Sequence, residues 1–233
     1  MLDQAFEALK TYDWGAERNV LQPINDAVIA THGDEKARKE LEARLAETLK
    51  TNISRDAKDF VCRKLMLIGT AASVPALAEL LGDKDLSHMA RYALERNPSQ
   101  EAAQALRDAL PKVAAAQKVG IASSLGQRGD AAAVPLLGNL LGDGDGAVVR
   151  AAALALGAIG TPAAAQELAK AKASSAEAKV AVTDANLACA EGLLASGKNM
   201  DALAVYKSLA GEDQPKHIRL AATRGMLACA GKK

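Results

Sequence analysis

The chain has 233 residues, of which 49% are hydrophobic and only 3% aromatic, so it can bury a substantial core of mainly aliphatic side chains. The 29 Lys and Arg residues are balanced by 28 Asp and Glu residues, and the two signs are interspersed. Because a duplex-DNA binder concentrates basic charge on one face, this balance disfavours nucleic acid as a partner. Three widely spaced cysteines disfavour a disulfide framework or a zinc site.

The first 55 residues predict an irregular helical cap. Apolar periodicity indicates helices over 2–9, 20–31 and 35–50, with breaks at 13–15 and 32–34. We expect Phe6 and Trp14 to be large side chains that plug this cap. The acid-bearing N-terminal stretch does not resemble a secretory signal, and no apolar run is long enough to cross a membrane. Cytoplasm is therefore the default expectation, or the periplasm if the chain is a fragment of a longer exported protein.

The middle of the chain repeats itself. The phrase at 74–85 returns at 134–145 with 8 of 12 positions identical, and a degenerate copy lies between them, so the unit is about 30 residues. Turn residues recur at that interval, each after an apolar helical pattern. They are Gly69, Pro98, Gly129, Gly160, Gly197 and Gly231.

Apolar residues keep the same position after each turn. Five residues past the turn stand Val74, Ala103, Val134, Ala165 and Ala202, and eight past it stand Leu77, Leu106, Leu137, Leu168 and Val205. This spacing predicts one buried helical face per unit. The expected fold is all-α, with antiparallel helix pairs stacked in a single domain over 1–233: the cap at 1–55, regular repeats at 56–177 and divergent repeats at 178–233.

No catalytic, cofactor or metal site is predicted. The loop that begins at Asp143 resembles a calcium loop, but Ala147 and Leu154 occupy positions that require oxygen ligands, so a tight turn is expected. His32, His88 and His217 share no ligand spacing, and phosphate-loop and nucleophile-elbow motifs are missing. A Ser/His/Asp group assembled in space stays open. We expect the chain not to be an enzyme.

Polar residues, four of them charged, recur ten positions past each turn, opposite the leucine stripe. They run from acidic to basic as Glu79, Asp108, Asn139, Lys170 and Lys207. Gln104 and Gln166 stand four positions earlier in two units, and Arg107 and Tyr206 lie beside the row. We expect these residues to contact a protein or peptide partner of opposite polarity. The alternative is that exposed helix positions carry charges in any case.

The phrases at 149–160 and 132–137 resemble the HEAT-repeat superfamily, and its short alanine-rich bacterial subclass named after phycobilisome lyases most of all. The resemblance implies a right-handed α-solenoid whose second helices line the concave face. Paired His-Glu steps, which the di-iron hydroxylases built on this fold carry, are missing. Residues 188–209 resemble a tetratricopeptide repeat instead.

The resulting functional expectation is a monomeric, non-enzymatic scaffold or protein-interaction module that binds a partner on its concave face. One alternative is an accessory factor or enzyme domain of the bilin-lyase type that holds a chromophore or small substrate, although the aromatic residues fall mostly outside the second helices. DNA-lesion binding is a further alternative that the neutral charge disfavours.

Overall fold

A computed structural model describes residues 1–172 and 175–231, and every regular element among them is helical. The backbone divides into two compact units, Met1–Val113 and Ala114–Lys233. Within each unit, helices joined by short turns pack as antiparallel pairs. The predicted all-α fold of stacked helix pairs is therefore confirmed, while a single continuous domain stays a prediction.

Unit 1 contains the predicted cap followed by the first repeats. Helix α3 packs on α4 and α5, α4 packs on α6, and α5 packs on α7. Short 3₁₀ turns precede α2 and α5 and follow α7. The helices are α1 (Leu2–Thr11), α2 (Gln22–Ala30), α3 (Glu35–Leu49), α4 (Arg55–Ile68), α5 (Val74–Ala78), α6 (Ser87–Arg96) and α7 (Gln100–Ala109).

Unit 2 is more regular. Its first helices contact one another in the order α8, α10 and α12, the second helices α9 and α11 pack together, and α13 packs on α12 and α14. The helices are α8 (Ala115–Gln127), α9 (Val134–Leu140), α10 (Gly146–Ile159), α11 (Pro162–Lys170), α12 (Ala176–Ala195), α13 (Asn199–Leu209) and α14 (Lys216–Gly231).

The buried stripe follows the sequence register. The residues five positions past the turns are all buried, and so are the four leucines eight positions past them. Val205, the last member of the second set, is only half-buried. The 3.6-residue period of the apolar positions therefore identifies the core face of each second helix.

Turn geometry agrees with the sequence at three of the five predicted turn glycines, which have positive φ: Gly129, Gly160 and Gly197. It differs at Gly69, and Gly231 is the last residue of α14 and not a turn residue. Gly160 ends α10 with φ 58°, a left-handed conformation that glycine adopts without a Cβ penalty. Gly69 ends α4 with φ −64° instead. A Cβ at Gly69 would collide with the carbonyl oxygen of Leu65, so this glycine provides space and not a left-handed turn.

Small residues set the distance between successive first helices of unit 2. A Cβ built on Gly157 of α10 would lie 2.9 Å from the Ala185 carbonyl oxygen of α12. A Cβ on Gly126 of α8 would lie 2.7 Å from the Cα of Ala155. These helices therefore pack backbone against backbone, which explains why alanine dominates this part of the sequence.

A buried carboxylate holds the first repeat turn of unit 1. Glu42 on α3 is only 1% exposed, and its Oε1 accepts hydrogen bonds from the amides of Thr70 (2.6 Å) and Ser73 (3.1 Å). The Thr70 hydroxyl donates to the same carboxylate, while the Asn97 amide donates to the Thr70 carbonyl. Three helical layers thus share one hydrogen-bonded turn.

Replacement of Ala153 tests the assignment of the buried face of α10. Ala153 is fully buried, whereas its neighbour Leu154 is 53% exposed. Ala153→Arg should cost at least about 3 kcal/mol through overpacking and burial of a charge, which lowers Tm by about 10 °C. Leu154→Arg, measured in the same thermal melt, should change Tm little. Equal Tm values for the two variants would show that the face is misassigned.

Removal of the Glu42 carboxylate should leave the Thr70 and Ser73 amides without an acceptor. We expect Glu42→Ala to lower the free energy of unfolding by about 2–4 kcal/mol in urea titration. Glu40→Ala is the matched control, because Glu40 lies on the surface of the same helix. Its ion pair with Lys36, at 3.9 Å, is exposed to water and contributes little to stability. Similar losses for both variants would contradict a structural role for Glu42.

Candidate functional site

The row of polar residues predicted to contact a partner is partly assembled in unit 1. Pro75, Gln104 and Asp108 line a groove of about 560 Å³ along α5 and α7, and Glu79 is exposed at the end of α5. Arg107 donates to Gln104 and Gln104 donates to Asp108, each at 2.7 Å. These side chains therefore form a hydrogen-bonded row on the α7 surface.

In unit 2 the predicted row is exposed except at one position. Asn139, Gln166, Lys170 and Lys207 lie on the surface, and Lys170 pairs with Glu167 at 2.8 Å. Tyr206 is only 2% exposed. Its ring packs where a Cβ on Gly225 would stand, so the expectation that Tyr206 offers a contact surface is wrong. Partner contact by the exposed members stays a prediction.

A second concave site of unit 1 is a cleft of about 540 Å³ at the N-terminal segment. Tyr12, Trp14 and Phe60 line it, which gathers half of the six aromatic residues of the chain. We refer to it as the aromatic cleft. Trp14 is 89% exposed, so its predicted role as a buried plug is wrong. The same prediction is confirmed for Phe6, which is buried beneath the guanidinium of Arg44 at 3.8 Å.

A tight turn presents the Trp14 ring. The Asp13 carboxylate accepts from the Trp14 amide at 2.8 Å, and Gly15 has φ 85°, a conformation that favours glycine. Ser54 then fixes the segment before this turn to α4. Its Oγ accepts from the Ala57 amide at 3.0 Å and donates to the Tyr12 carbonyl at 2.6 Å.

Helix α4 supplies the opposite wall of the cleft, with one apolar face in the core and one charged and aromatic face toward the cleft. Ala57, Val61 and Leu65 are buried in the core, which turns a second stripe toward the cleft. Positions three and four apart lie on one helical face. The cleft stripe of α4 contains Asp56, Asp59, Phe60, Arg63 and Lys64.

The two carboxylates of this stripe are compensated within the protein. Asp59 accepts from the Arg63 guanidinium through Nε and Nη2 at 3.0–3.1 Å, and this hydrogen bond raises the pKa of Arg63. Asp56 pairs with Arg55 at 3.2 Å. Because Asp56 also stands in the first turn of α4, the helix dipole stabilises its negative charge.

Two cations of the cleft have no such compensation. The Lys64 ammonium lies 4.7 Å from the centroid of the Phe60 ring, and burial, followed by the charge of Arg63, lowers the pKa of Lys64. Arg18 lines the same cleft. Among residues 1–172 and 175–231, neither side chain pairs with a carboxylate. The cleft wall also contains Asn25, whose buried Oδ1 accepts no hydrogen bond from any described residue.

Sequence reasoning missed this site, although a signal was present. The predicted contact residues lie on the second helices of the repeats. The cleft is formed instead by the break after α1 and by the outer face of α4, a first helix. The stripe 56, 59, 60, 63 and 64 has helical spacing and is entirely charged or aromatic. An aromatic residue between charges on a helix whose other face is apolar was the available signal.

Outside the aromatic cleft, the titratable groups of residues 1–172 and 175–231 form no cluster of metal ligands. Cys62 is buried, and burial raises the pKa of its thiol to about 12. His88 contacts Arg91 and packs edge-on against Tyr92. In the described part of the chain, no three His, Cys, Asp or Glu side chains are grouped as metal ligands would be. Among the same residues, no helix is both long and apolar enough to span a bilayer.

A family model for HEAT repeats matches residues 112–186, which supports the predicted superfamily for that segment. No curated protein sequence matches the chain. One similar solved structure is human deoxyhypusine hydroxylase in complex with glycerol, with 18% identity and a TM-score of 0.44 over 79% of this chain and 94% of that one.

This neighbour corrects the functional expectation. Deoxyhypusine hydroxylase is an enzyme, which contradicts the prediction of a non-enzymatic scaffold and the prediction that the chain is not an enzyme. The scaffold prediction rested on the repeat architecture, and the prediction that the chain is not an enzyme rested on missing catalytic motifs. Neither ground precludes catalysis. A likeness this weak identifies no reaction for the present chain.

Loss of the Ser54 hydroxyl should loosen the wall that carries Tyr12 and Trp14. Ser54→Ala should cost about 1 kcal/mol of stability and should accelerate amide hydrogen exchange over residues 12–16. Ser175→Ala is the control, since Ser175 caps α12 in the same way but belongs to unit 2. If exchange over residues 12–16 were the same in both variants, the tether would not position this segment.

Proposed function

We propose that unit 1 binds a small organic molecule with a flat ring in the aromatic cleft. The observation that carries the proposal is the convergence of Tyr12, Trp14 and Phe60 on one cavity in a chain that is only 3% aromatic. No reaction is assigned to the bound molecule.

The size and lining of the cleft support this function. Ligand sites in proteins have volumes of about 300–1,000 Å³ and combine apolar or aromatic walls with a few polar groups. The aromatic cleft, at about 540 Å³, falls within that range. Its carboxylates, guanidinium groups and ammonium are the orienting groups that such a site needs.

The exposure of Trp14 supports a site more than a structural role. A tryptophan that is 89% exposed contributes little to the core, because its apolar area stays in water. Stacking of a flat ring on the indole would remove that area from water. The turn at Asp13 and Gly15, together with the Ser54 tether, fixes the backbone that carries the indole, which reduces the entropy cost of binding.

The groove along α5 and α7 has a similar volume but a different lining. Its walls are aliphatic and polar, with Val74, Leu81, Gln104 and Asp108 among them. It offers no ring for stacking. The aromatic cleft therefore has the stronger case for a small ligand.

We also propose a repeat subclass for two parts of the chain. Residues 56–173 fit the short bacterial HEAT subclass, and residues 188–209 fit a tetratricopeptide-like pair. Neither proposal assigns an activity. A cytoplasmic location and a monomeric state are likewise proposals.

Equilibrium dialysis with 2-naphthamide, a neutral flat probe, tests the proposed function. The full-length protein should bind the probe, and Trp14→Ala should weaken binding about three- to tenfold, as expected for loss of one aromatic contact. Ile29→Ala is the control, because Ile29 is a 72% exposed apolar residue of the same unit outside the cleft lining.

Two results would contradict the proposal. One is absence of binding by wild-type protein to 2-naphthamide and to its charged analogues 2-naphthoate and 2-naphthyl phosphate. The other is binding that Trp14→Ala and Ile29→Ala change equally, since the probe would then occupy another surface.

A further inference from the structure

We infer that the natural ligand of the aromatic cleft is an anion, a planar ring compound that carries a carboxylate or phosphate group. This inference rests on the proposed function, because it specifies the ligand class of the same cleft. It follows from which charges of the lining are already paired and which are not.

The lining contains three cationic and two anionic side chains. Asp59 and Arg63 neutralise one another through the bidentate contact at 3.0–3.1 Å. Asp56 is held by Arg55 and by the start of α4. A cationic ligand would have to compete with these internal partners for either carboxylate, so the lining does not favour it.

Lys64 and Arg18 are the charged groups of the lining left to a ligand. Lys64 is half-buried, and the nearest compensation for its charge is the face of Phe60 at 4.7 Å. A cation–π contact compensates a partly desolvated ammonium less than a carboxylate does. An anionic oxygen beside Lys64 would supply the missing partner, and Arg18 adds a planar donor group suited to carboxylate and phosphate.

The aromatic and cationic groups share the wall of one cavity. Phe60 and Lys64 stand four residues apart on α4, so they lie on the same helical face, and Trp14 belongs to the turn that also lines the cleft. A ring seated against Trp14 and Phe60 would therefore have a cation within the same site. The lowered pKa of Lys64 agrees with an ammonium that lacks an anionic neighbour.

The test compares ligands that share one ring and differ in charge. Wild-type full-length protein should bind 2-naphthoate and 2-naphthyl phosphate about tenfold more tightly than 2-naphthamide, the gain expected from charge-assisted hydrogen bonds. The relative affinities of the two anions show whether the cleft prefers a carboxylate or a phosphate group. Added NaCl should reduce the difference in affinity between the anions and 2-naphthamide.

Lys64→Met should remove most of this preference, because it should weaken binding of the two anions far more than binding of 2-naphthamide. An unchanged thermal melt shows that the variant is still folded. Lys64→Arg should retain the preference. Lys58→Met is the matched control on the same helix, because Lys58 lies outside the cleft lining. If Lys64→Met disturbs folding, Arg18→Met provides the same comparison at the other cation.

The outcomes separate the two proposals. If 2-naphthamide binds wild-type protein as tightly as both anions do, the inference of an anionic ligand is wrong while the proposed function stands. A preference that persists in both Lys64→Met and Arg18→Met also overturns the inference. If none of the three probes binds, the proposed function itself fails.

Discussion

The attachment of α4 to the segment before it is the interaction on which the candidate site depends. Ser54 caps the helix and, through the same hydroxyl, holds the Tyr12 carbonyl at 2.6 Å. The buried stripe of Ala57, Val61 and Leu65 fixes the rotation of α4 about its axis. Once both are set, Phe60 and Lys64 face the turn that presents Trp14. One hydroxyl and one apolar face thus determine the geometry of the cleft.

The cleft concentrates groups that are costly to leave without partners. A half-buried ammonium and an exposed indole both gain when a suitable molecule replaces water, the first through an anionic oxygen and the second through stacking. The carboxylates Asp56 and Asp59 already have partners, so they keep the net charge of the lining small without neutralising Lys64 or Arg18. Selectivity for a flat anion follows from this unequal pairing.

Local periodicity predicted the fold because the fold is local. Apolar residues at fixed positions after each turn, such as Leu77, Leu137 and Leu168, are buried as expected, and each layer needs only its neighbours. The cleft could not be predicted in this way, since it joins residues of the 12–18 segment to α4, as in the contact of Tyr12 with Ser54, which are 42 positions apart. Trp14 and Tyr206 show that the sequence pattern does not determine the burial of single aromatic residues. The pattern assigned the first to the core and the second to the surface, and tertiary packing reversed each assignment.

Titration of the full-length protein with 2-naphthoate, followed by backbone and indole N–H nuclear magnetic resonance, tests the central claim most directly. The chain has a single tryptophan, so one indole N–H signal reports Trp14 without ambiguity. The account predicts that this signal shifts together with the amides of residues 12–16 and 56–64. Shifts confined to α5 and α7, or an indole signal that does not move at saturation, would contradict it.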